Sequence, residues 1–229
     1  MAPPTVSPGT LFVVATPLGN LEDLSLRALR VLREVDVVAC EDTRRTRTLL
    51  ARYEIPTPTT SYFEHNKLRK GAYLLGLLSE GKSAALVTDA GTPGISDPGF
   101  VLVRDARAAG IPVVPVPGPS AVVTALSAAG IPADRFVFDG FLPVKPGRRL
   151  NRLRALRELE MTVVIYESPH RILAALEAIS EVFGETPIVV ARELTKQFEE
   201  IVEASAAGHL ARLKTAAVRG EFTLVIPAR

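Results

Sequence analysis

The chain has 229 residues, of which 47% are hydrophobic and 23% charged, and a formal net charge of +2. Disordered and fibrous chains depart strongly from such a composition, so the sequence predicts a globular protein of one large domain or two domains of roughly 100 residues each. The net charge decides little, but 21 of the 27 basic residues are arginines, which bind phosphate with planar, bidentate geometry.

The first ten residues, MAPPTVSPGT, have neither the basic nor the apolar segment of a signal peptide. We predict a flexible leader at 1–10. The longest uncharged segment, 111–131, contains four prolines and is not expected to cross a membrane. Cys40 is the one cysteine and cannot form an internal disulfide, which indicates a reducing compartment. We therefore expect a cytoplasmic protein with no membrane contact.

From residue 11 onward, short apolar runs alternate with amphipathic stretches, which is the pattern of an α/β protein. The runs are continuously apolar, as in strands of a mostly parallel sheet with helices on both faces. The predicted strands are Leu11–Thr16, Asp36–Cys40, Ala84–Thr88 and Val113–Val116, and the predicted helices are Leu24–Arg33, Thr43–Arg52, Lys67–Ser79 and Phe100–Ala109.

A second set of elements follows the segment PVPGPS, so we place a domain boundary between residues 117 and 118. The expected domains are an N-terminal α/β domain at 11–117 and a C-terminal α/β domain at 118–229. In the second domain we predict a helix at about Pro119–Ala129 and strands near Phe136–Asp139, Thr162–Tyr166, Ile188–Ala191 and Phe222–Ile226.

Four loops after predicted strands hold most of the unusual residues: TPLGN at 16–20, EDTRRT at 41–46, DAGTPGISDPG at 89–99 and PGPSA at 117–121. Ligands bind at the carboxyl ends of strands in open α/β sheets. In the third loop, glycines let a ligand approach the backbone closely. No Lys or Arg falls between Lys82 and Arg104, unlike in a phosphate-binding loop, so an uncharged or zwitterionic ligand is favoured over a nucleoside triphosphate.

These motifs, together with EHN at 64–66, FLP at 141–143, YESPHR at 166–171, ARELTK at 191–196 and GEFTLVI at 220–226, resemble the tetrapyrrole (corrin/porphyrin) methylase superfamily. Within it, they resemble the bacterial small-subunit (16S) rRNA cytidine 2′-O-methyltransferases. The resemblance implies two α/β domains, each a mixed, mostly parallel sheet flanked by helices, with S-adenosylmethionine (SAM) in a cleft between them. It also implies a homodimer that acts on small-subunit rRNA or on the 30S particle.

By the same resemblance, the cofactor is expected against the loop residues and two residues of the second domain. They are Pro17, Leu18, Gly91, Thr92, Pro93, Ile95, Ser120, Ala121, Tyr166 and Leu194. A sulfonium cofactor has no pyrophosphate, which explains why the first loop has a single glycine.

Methyl transfer to a ribose hydroxyl also needs a proton acceptor, and four carboxylates in the motifs are candidates: Glu41, Asp42, Asp89 and Glu167. The residues alone do not rank them. Asp42 is equally suited to cap the helix that follows it. Glu167 is equally suited to form a structural ion pair with Arg171 or Arg192.

Two basic clusters are candidate RNA contacts, because helix surfaces that face only solvent usually mix charges of both signs. They are Arg44, Arg45 and Arg47 in the first domain, and Lys145, Arg148, Arg149 and Arg152, followed by Arg154 and Arg157, in the second. His65 and His170 have no third ligand at a suitable spacing, so no metal is expected.

Two other functions share some of these features. A tetrapyrrole C- or N-methylase has the same fold but would not need a polybasic strip. A non-catalytic RNA-binding or ribosome-assembly protein would have no need to keep every cofactor loop intact.

Overall fold

The computed structural model describes residues 6–214 and 218–228. Contacts divide the chain into two compact units, Met1–Ser120 and Ala121–Arg229, with the division at 120/121 where the sequence predicts 117/118. The predicted leader at 1–10 lies partly outside the described residues. In its described part, Thr10 is buried and the Gly9 N–H donates to the Gly81 carbonyl.

The first unit is an open parallel sheet with helices on both faces. Its strands follow the order β3-β2-β4-β1-β5, and all the described pairs are parallel. The elements are β1 (Leu11–Val14), α1 (Leu26–Glu34), β2 (Val37–Cys40), α2 (Thr43–Arg52), β3 (Thr59–Ser61), α3 (Lys67–Ser79), β4 (Ala84–Leu86), α4 (Phe100–Ala108) and β5 (Val113–Val116).

Burial of apolar side chains on both faces of this sheet explains why β1, β2 and β4 are apolar runs. One face packs against α1 and α2 through Leu32 and Leu50, and the other against α3 and α4 through Leu74 and Leu102. The predicted strands and helices of this unit are present, with β1 and β4 two residues shorter than predicted at their carboxyl ends. β3 was not predicted.

The second unit is a mixed sheet in the order β6-β7-β10-β8-β9. Among the described strand pairs of this second sheet, β6 and β7 are parallel and the other pairs are antiparallel. The elements are α5 (Ala121–Ala128), β6 (Phe136–Phe141), α6 (Pro146–Arg157), β7 (Thr162–Glu167), α7 (Ile172–Phe183), β8 (Pro187–Arg192), β9 (Glu200–Ser205), α8 (Ala206–Lys214) and β10 (Phe222–Ile226).

The predicted α/β class and two-sheet architecture are thus confirmed. The description "mostly parallel" fits the first sheet, whereas the second is mixed and mainly antiparallel. Helices α6, α7 and α8 cover one face of the second sheet, where Leu153, Leu176 and Leu213 join Ile165 and Leu224 in the core. No helix among residues 6–214 and 218–228 is long and apolar enough to span a membrane.

Candidate active site

The four loops that follow β1, β2, β4 and β5 lie at one edge of the first sheet. This follows from the topology, because the carboxyl ends of parallel strands meet at the same edge. The sequence expectation that these loops come together is therefore met in the first unit, and hydrogen bonds show how they are joined.

The loops after β1 and β4 are joined through their backbones. Thr16 and Gly91 exchange two N–H···O hydrogen bonds of 2.9 and 3.0 Å. The buried Thr16 hydroxyl donates to the Thr88 carbonyl at 3.0 Å. These contacts satisfy buried polar groups and hold the glycine loop against the first loop.

The loop after β5 joins the same assembly. The Thr92 hydroxyl donates to the Pro119 carbonyl at 3.1 Å. A Cβ atom placed on Gly118 would lie 3.0 Å from the Ala15 Cβ, so a larger residue would require Ala15 or the loop to shift by a few tenths of an ångström. The three loops therefore form one interlocked platform built largely from main chain.

Gly91 is the residue on which this platform depends most. It is buried with φ of +81°, a conformation that residues with a side chain adopt at a cost. A Cβ atom there would lie 3.3 Å from the Leu18 Cδ2 and 3.9 Å from the Pro119 oxygen. Gly91 thus faces Leu18 and the loop after β5, and its lack of a side chain allows this close approach.

The remaining predicted cofactor residues of the first unit differ in exposure. Pro17 and Pro93 are buried and support the loops from within, whereas Thr92 and Ser120 are partly exposed. Ile95 has 43% of its surface exposed, which is unusual for an isoleucine in a rigid loop. The platform thus offers solvent a main-chain surface with an apolar side chain beside it.

The loop after β2 is held to the glycine loop by Asp89. Its Oδ1 accepts from the Asp42 backbone N–H at 3.2 Å, and its Oδ2 pairs with Arg45 at 3.1 Å. Asp89 therefore fixes the turn between β2 and α2. All four predicted loops are connected through this contact.

Asp42 begins helix α2 as its N-cap. Its carboxylate accepts from the Arg44 backbone N–H at 2.8 Å and pairs with the Arg44 guanidinium. The side-chain and backbone hydrogen bonds from Arg44 lower the pKa of Asp42 to about 2. A carboxylate with such a low pKa is a weak proton acceptor, so capping accounts for Asp42.

Glu41 lies in a different environment from these neighbours. Burial, and then the negative charge of Asp89, raises the pKa of the Glu41 carboxyl above its usual value. None of the ion pairs formed by the described part of the chain uses Glu41. A raised pKa of this kind suits a general base.

Glu167 is at the end of β7 in the second unit, and its side chain is 1% exposed. It follows Val163 and Ile165 on the face of the sheet that packs against helices, whereas Tyr166 points to the other face. Arg171 pairs with it at 3.4 Å, and burial raises its pKa even though Arg171 and Arg149 lower it. Of the two roles open to Glu167 in the sequence, the structure shows the ion pair with Arg171.

The other predicted cofactor residues of the second unit are found as follows. The Tyr166 ring meets Phe138 and Phe141 edge-on, with ring centroids 4.7 and 6.0 Å away. Leu194 is buried, and Ala121 begins α5, where it is partly exposed. Tyr166 and its two phenylalanines form an aromatic cluster that the sequence analysis did not detect.

The predicted basic strip of the second unit is largely helix α6, and the structure divides it. Lys145 and Arg148 are exposed. Arg152 is paired with Asp139, whose side chain is 8% exposed. Arg149 is buried, 8% exposed, and its Nε has no hydrogen-bond partner among the described residues, so Arg149 is withdrawn as an RNA contact.

The basic residues of α2 are at the surface. Arg44 and Arg45 pair with the aspartates already described, and the Arg47 Nε donates to the Thr59 hydroxyl at 3.2 Å. His65 and His170 are exposed. Within residues 6–214 and 218–228 no three His, Cys, Asp or Glu side chains are grouped as a metal site requires.

Comparison with known proteins gives consistent matches over most of the chain. The family model of the tetrapyrrole (corrin/porphyrin) methylases matches residues 10–208. Proteins named ribosomal RNA small subunit methyltransferase I are similar in sequence to this chain over most of its length. That of Pseudomonas aeruginosa is 55% identical over 86% of this chain and 70% of its own length. That of Escherichia coli O157:H7 is 49% identical over 96% of this chain and 78% of its own.

Solved structures agree in fold. A cobalt precorrin-4 methyltransferase superposes with a TM-score of 0.74 at 19% identity, covering 96% of this chain and 95% of that one. A uroporphyrin-III C-methyltransferase of Thermus thermophilus, complexed with S-adenosyl homocysteine, gives a TM-score of 0.66 at 19% identity, with 94% and 96% covered. At these identities the likeness concerns the fold alone.

Proposed function

The chain belongs to the tetrapyrrole (corrin/porphyrin) methylase family, and from this premise we propose that it transfers a methyl group from SAM to the 2′-oxygen of a cytidine ribose in small-subunit rRNA. The observation that carries the proposal is its 44–55% identity to proteins named ribosomal RNA small subunit methyltransferase I. Such identity over most of both chains favours a shared activity over a shared fold only.

The platform of the first unit fits SAM. SAM carries no phosphate, and the platform offers main-chain groups and Leu18 in place of a cluster of cations. The residues that would hold it are Leu18, Gly91, Thr92 and Ile95, with Ser120 and Ala121 beside them. Tyr166 and Leu194 are proposed as further cofactor contacts.

SAM supplies a methyl group that is bound to a positively charged sulfonium sulfur. The neutral thioether that remains after methyl transfer is a good leaving group. The protein must therefore hold the 2′-hydroxyl in line and accept its proton. Orientation can lower a barrier by roughly 7–11 kcal/mol, against about 3–5 kcal/mol for a general base that contributes 10²–10⁴-fold. Positioning is the larger part of catalysis here.

We assign proton acceptance to Glu41. With SAM bound, SAM would supply the methyl group and leave as a neutral thioether, and the Glu41 carboxylate would accept the proton of the 2′-hydroxyl. The raised pKa of Glu41 makes it a better acceptor than Asp42. Asp89 acts as a positioning residue, because it holds the turn that carries Glu41 and contributes to its raised pKa.

The proposal extends to a cytoplasmic homodimer that acts on rRNA or on the 30S particle. Light scattering of the purified protein measures the oligomeric state, and a monomer at micromolar concentration would contradict that part. The exposed Arg47, which forms no ion pair among the described residues, is compatible with an RNA substrate, since cations bind phosphates.

The experiment is mass spectrometry of small-subunit rRNA from cells with and without the gene, mapping 2′-O-methylcytidine. Loss of one modified cytidine, restored by the wild-type gene and not by Glu41→Gln, is expected. Unchanged ribose methylation would overturn the proposal, and methylation of a uroporphyrin by the purified protein would favour the tetrapyrrole alternative. Full restoration by Glu41→Gln would contradict the role of that residue.

A further inference from the structure

Strand β3 is one of the two outer strands of the first sheet, and a basic side chain contacts each of its faces. The Arg47 Nε donates to the Thr59 hydroxyl at 3.2 Å, and the Lys70 Nζ donates to the Thr60 hydroxyl at 3.0 Å. Consecutive residues of a strand point to opposite faces. Arg47 on α2 and Lys70 on α3 therefore approach the strand from its two sides.

A concave surface lies just beyond the end of this strand. It has a volume of ≈ 420 Å³ and is lined by residues 64–69. His65 and Arg69 are exposed in it, and the His65 ring meets Phe63 edge-on, with centroids 6.2 Å apart. One turn along α3, Tyr73 is 50% exposed, with the Lys70 Nζ 5.3 Å from the centre of its ring.

Positive charge is left uncompensated on this surface. Lys67 is paired with Glu64. Arg47, Arg69 and Lys70 take part in none of the ion pairs found among residues 6–214 and 218–228. Cations beside an edge strand also discourage pairing with another chain, but that purpose would not require an exposed aromatic ring and histidine next to them.

The same surface leads directly to Glu41. Strand β3 pairs in parallel with β2, with Cys40 opposite Ser61, and the Tyr62 N–H donates to the Cys40 carbonyl at 2.7 Å. The residue after Cys40 is Glu41. The concave surface after β3 and the carboxylate after β2 therefore lie at the same edge of the sheet, on neighbouring strands.

We propose that Arg47, His65, Arg69, Lys70 and Tyr73 form an edge-strand surface that binds the single-stranded RNA flanking the nucleotide to be methylated. Single strands are bound by cations that contact the backbone and by exposed rings on which bases stack. This surface supplies both and ends beside the proposed base. The inference rests on the proposed function, since it assumes that RNA is the substrate.

The test compares two triple variants that remove the same number of charges. The first is Arg47→Ala, Arg69→Ala and Lys70→Ala. The matched control is Arg52→Ala, Lys82→Ala and Arg107→Ala. These exposed cations lie at or near the ends of α2, α3 and α4, on the side of the sheet where its parallel strands begin and away from the loops that follow the strands.

Binding of each protein to a single-stranded oligoribonucleotide from small-subunit rRNA is titrated over a range of salt concentrations. Each phosphate contact contributes about 0.7 to the slope of log affinity against log salt for single strands. The first variant should therefore flatten the slope by about 2, and the control should leave it parallel to wild type. Tyr73→Ala should weaken binding about 5- to 150-fold through lost stacking, and Tyr73→Phe should bind as wild type does.

SAM affinity by calorimetry, rRNA methylation and oligomeric state are measured on the same proteins. If wild type methylates rRNA while the first triple variant keeps its slope and affinity, this inference fails and the proposed function stands. If wild type neither binds nor methylates RNA, both fail. If the triple variant turns a dimer into a monomer, the surface is a contact between two copies and the RNA inference is overturned.

Discussion

Replacing Gly91 by alanine should weaken both the first unit and its hold on SAM. The side chain would be added at φ of +81°, where residues other than glycine pay about 1–2 kcal/mol. The new Cβ would also lie 3.3 Å from the Leu18 Cδ2, a contact that Leu18 can relieve only by moving. Because Leu18 is a proposed cofactor contact, this movement should raise the Kd for SAM by about tenfold or more, which corresponds to about 1.4 kcal/mol.

Gly76→Ala provides the matched control. Gly76 is within helix α3, and a Cβ there would meet nothing within 4 Å. Alanine in a helix interior is favoured over glycine by about 0.5–1 kcal/mol. The free energies of unfolding of the two variants should thus differ by about 1.5–3 kcal/mol, with Gly91→Ala the less stable.

Urea denaturation measures the free energies of unfolding, and calorimetry measures the Kd for SAM. Natural domains are stable by about 5–15 kcal/mol, so Gly91→Ala should still fold and its affinity can be measured. A Gly91→Ala protein that is as stable as Gly76→Ala and binds SAM like wild type would refute the reasoning, because the loop would then tolerate a side chain at this position.

Three further changes test single roles. Glu41→Gln should lower kcat by about 10²–10⁴-fold at unchanged SAM affinity. In wild type, kcat should fall with decreasing pH as Glu41 becomes protonated, at a pH above the usual glutamate pKa, and this fall should be absent from the variant. The raised pKa of Glu167 predicts that the stability of wild type relative to Glu167→Gln is greatest below the usual glutamate pKa and falls as pH rises through the raised value; denaturation at several pH values with a constant difference would contradict this. Removing both Lys145 and Arg148 should flatten the salt dependence of RNA binding by about 1.4, whereas removing the ion-paired Arg152 should leave it unchanged.

The first sheet and its loops could be predicted from the sequence because two local signals agree there. Its four predicted strands are apolar runs, and each is followed by a loop that contains glycine, proline or aspartate. The hydrogen bond between Thr92 and Pro119, and the contact of Gly118 with Ala15, join residues distant in sequence. Those contacts depend on tertiary packing, which local patterns do not reveal.

The elements that were not predicted have weaker local patterns. Strand β3 is three polar residues at the outer position of its sheet, so it contains no apolar run. Strand β9 lies at an outer position of its sheet and has no fully buried residue, so it contains no continuous apolar run. The antiparallel pairing of β10 depends on long-range topology, which the composition of its five buried residues does not show.

The basic strip on α6 shows how a composition argument fails without helical periodicity. Charge density alone groups Arg149 with Arg148 and Arg152. Yet Arg149 is separated by four and seven residues from the buried Leu153 and Leu156, so it falls on the buried stripe of the helix. A test of periodicity would have separated it from its exposed neighbours.

The specificity for the methyl acceptor must come from residues outside the interlocked loops after β1, β4 and β5. The solved structures with this fold include methyltransferases named for cobalt precorrin-4 and for uroporphyrin III, which are large and rigid tetrapyrroles unlike a ribose in RNA. The proposed SAM platform of this chain is built largely from main chain and glycine, which do not distinguish one methyl acceptor from another. Side chains around the platform must therefore determine which methyl acceptor is bound. In the first unit those side chains are cations and an exposed tyrosine beside β3, which suit the phosphates and an unstacked base of a single RNA strand.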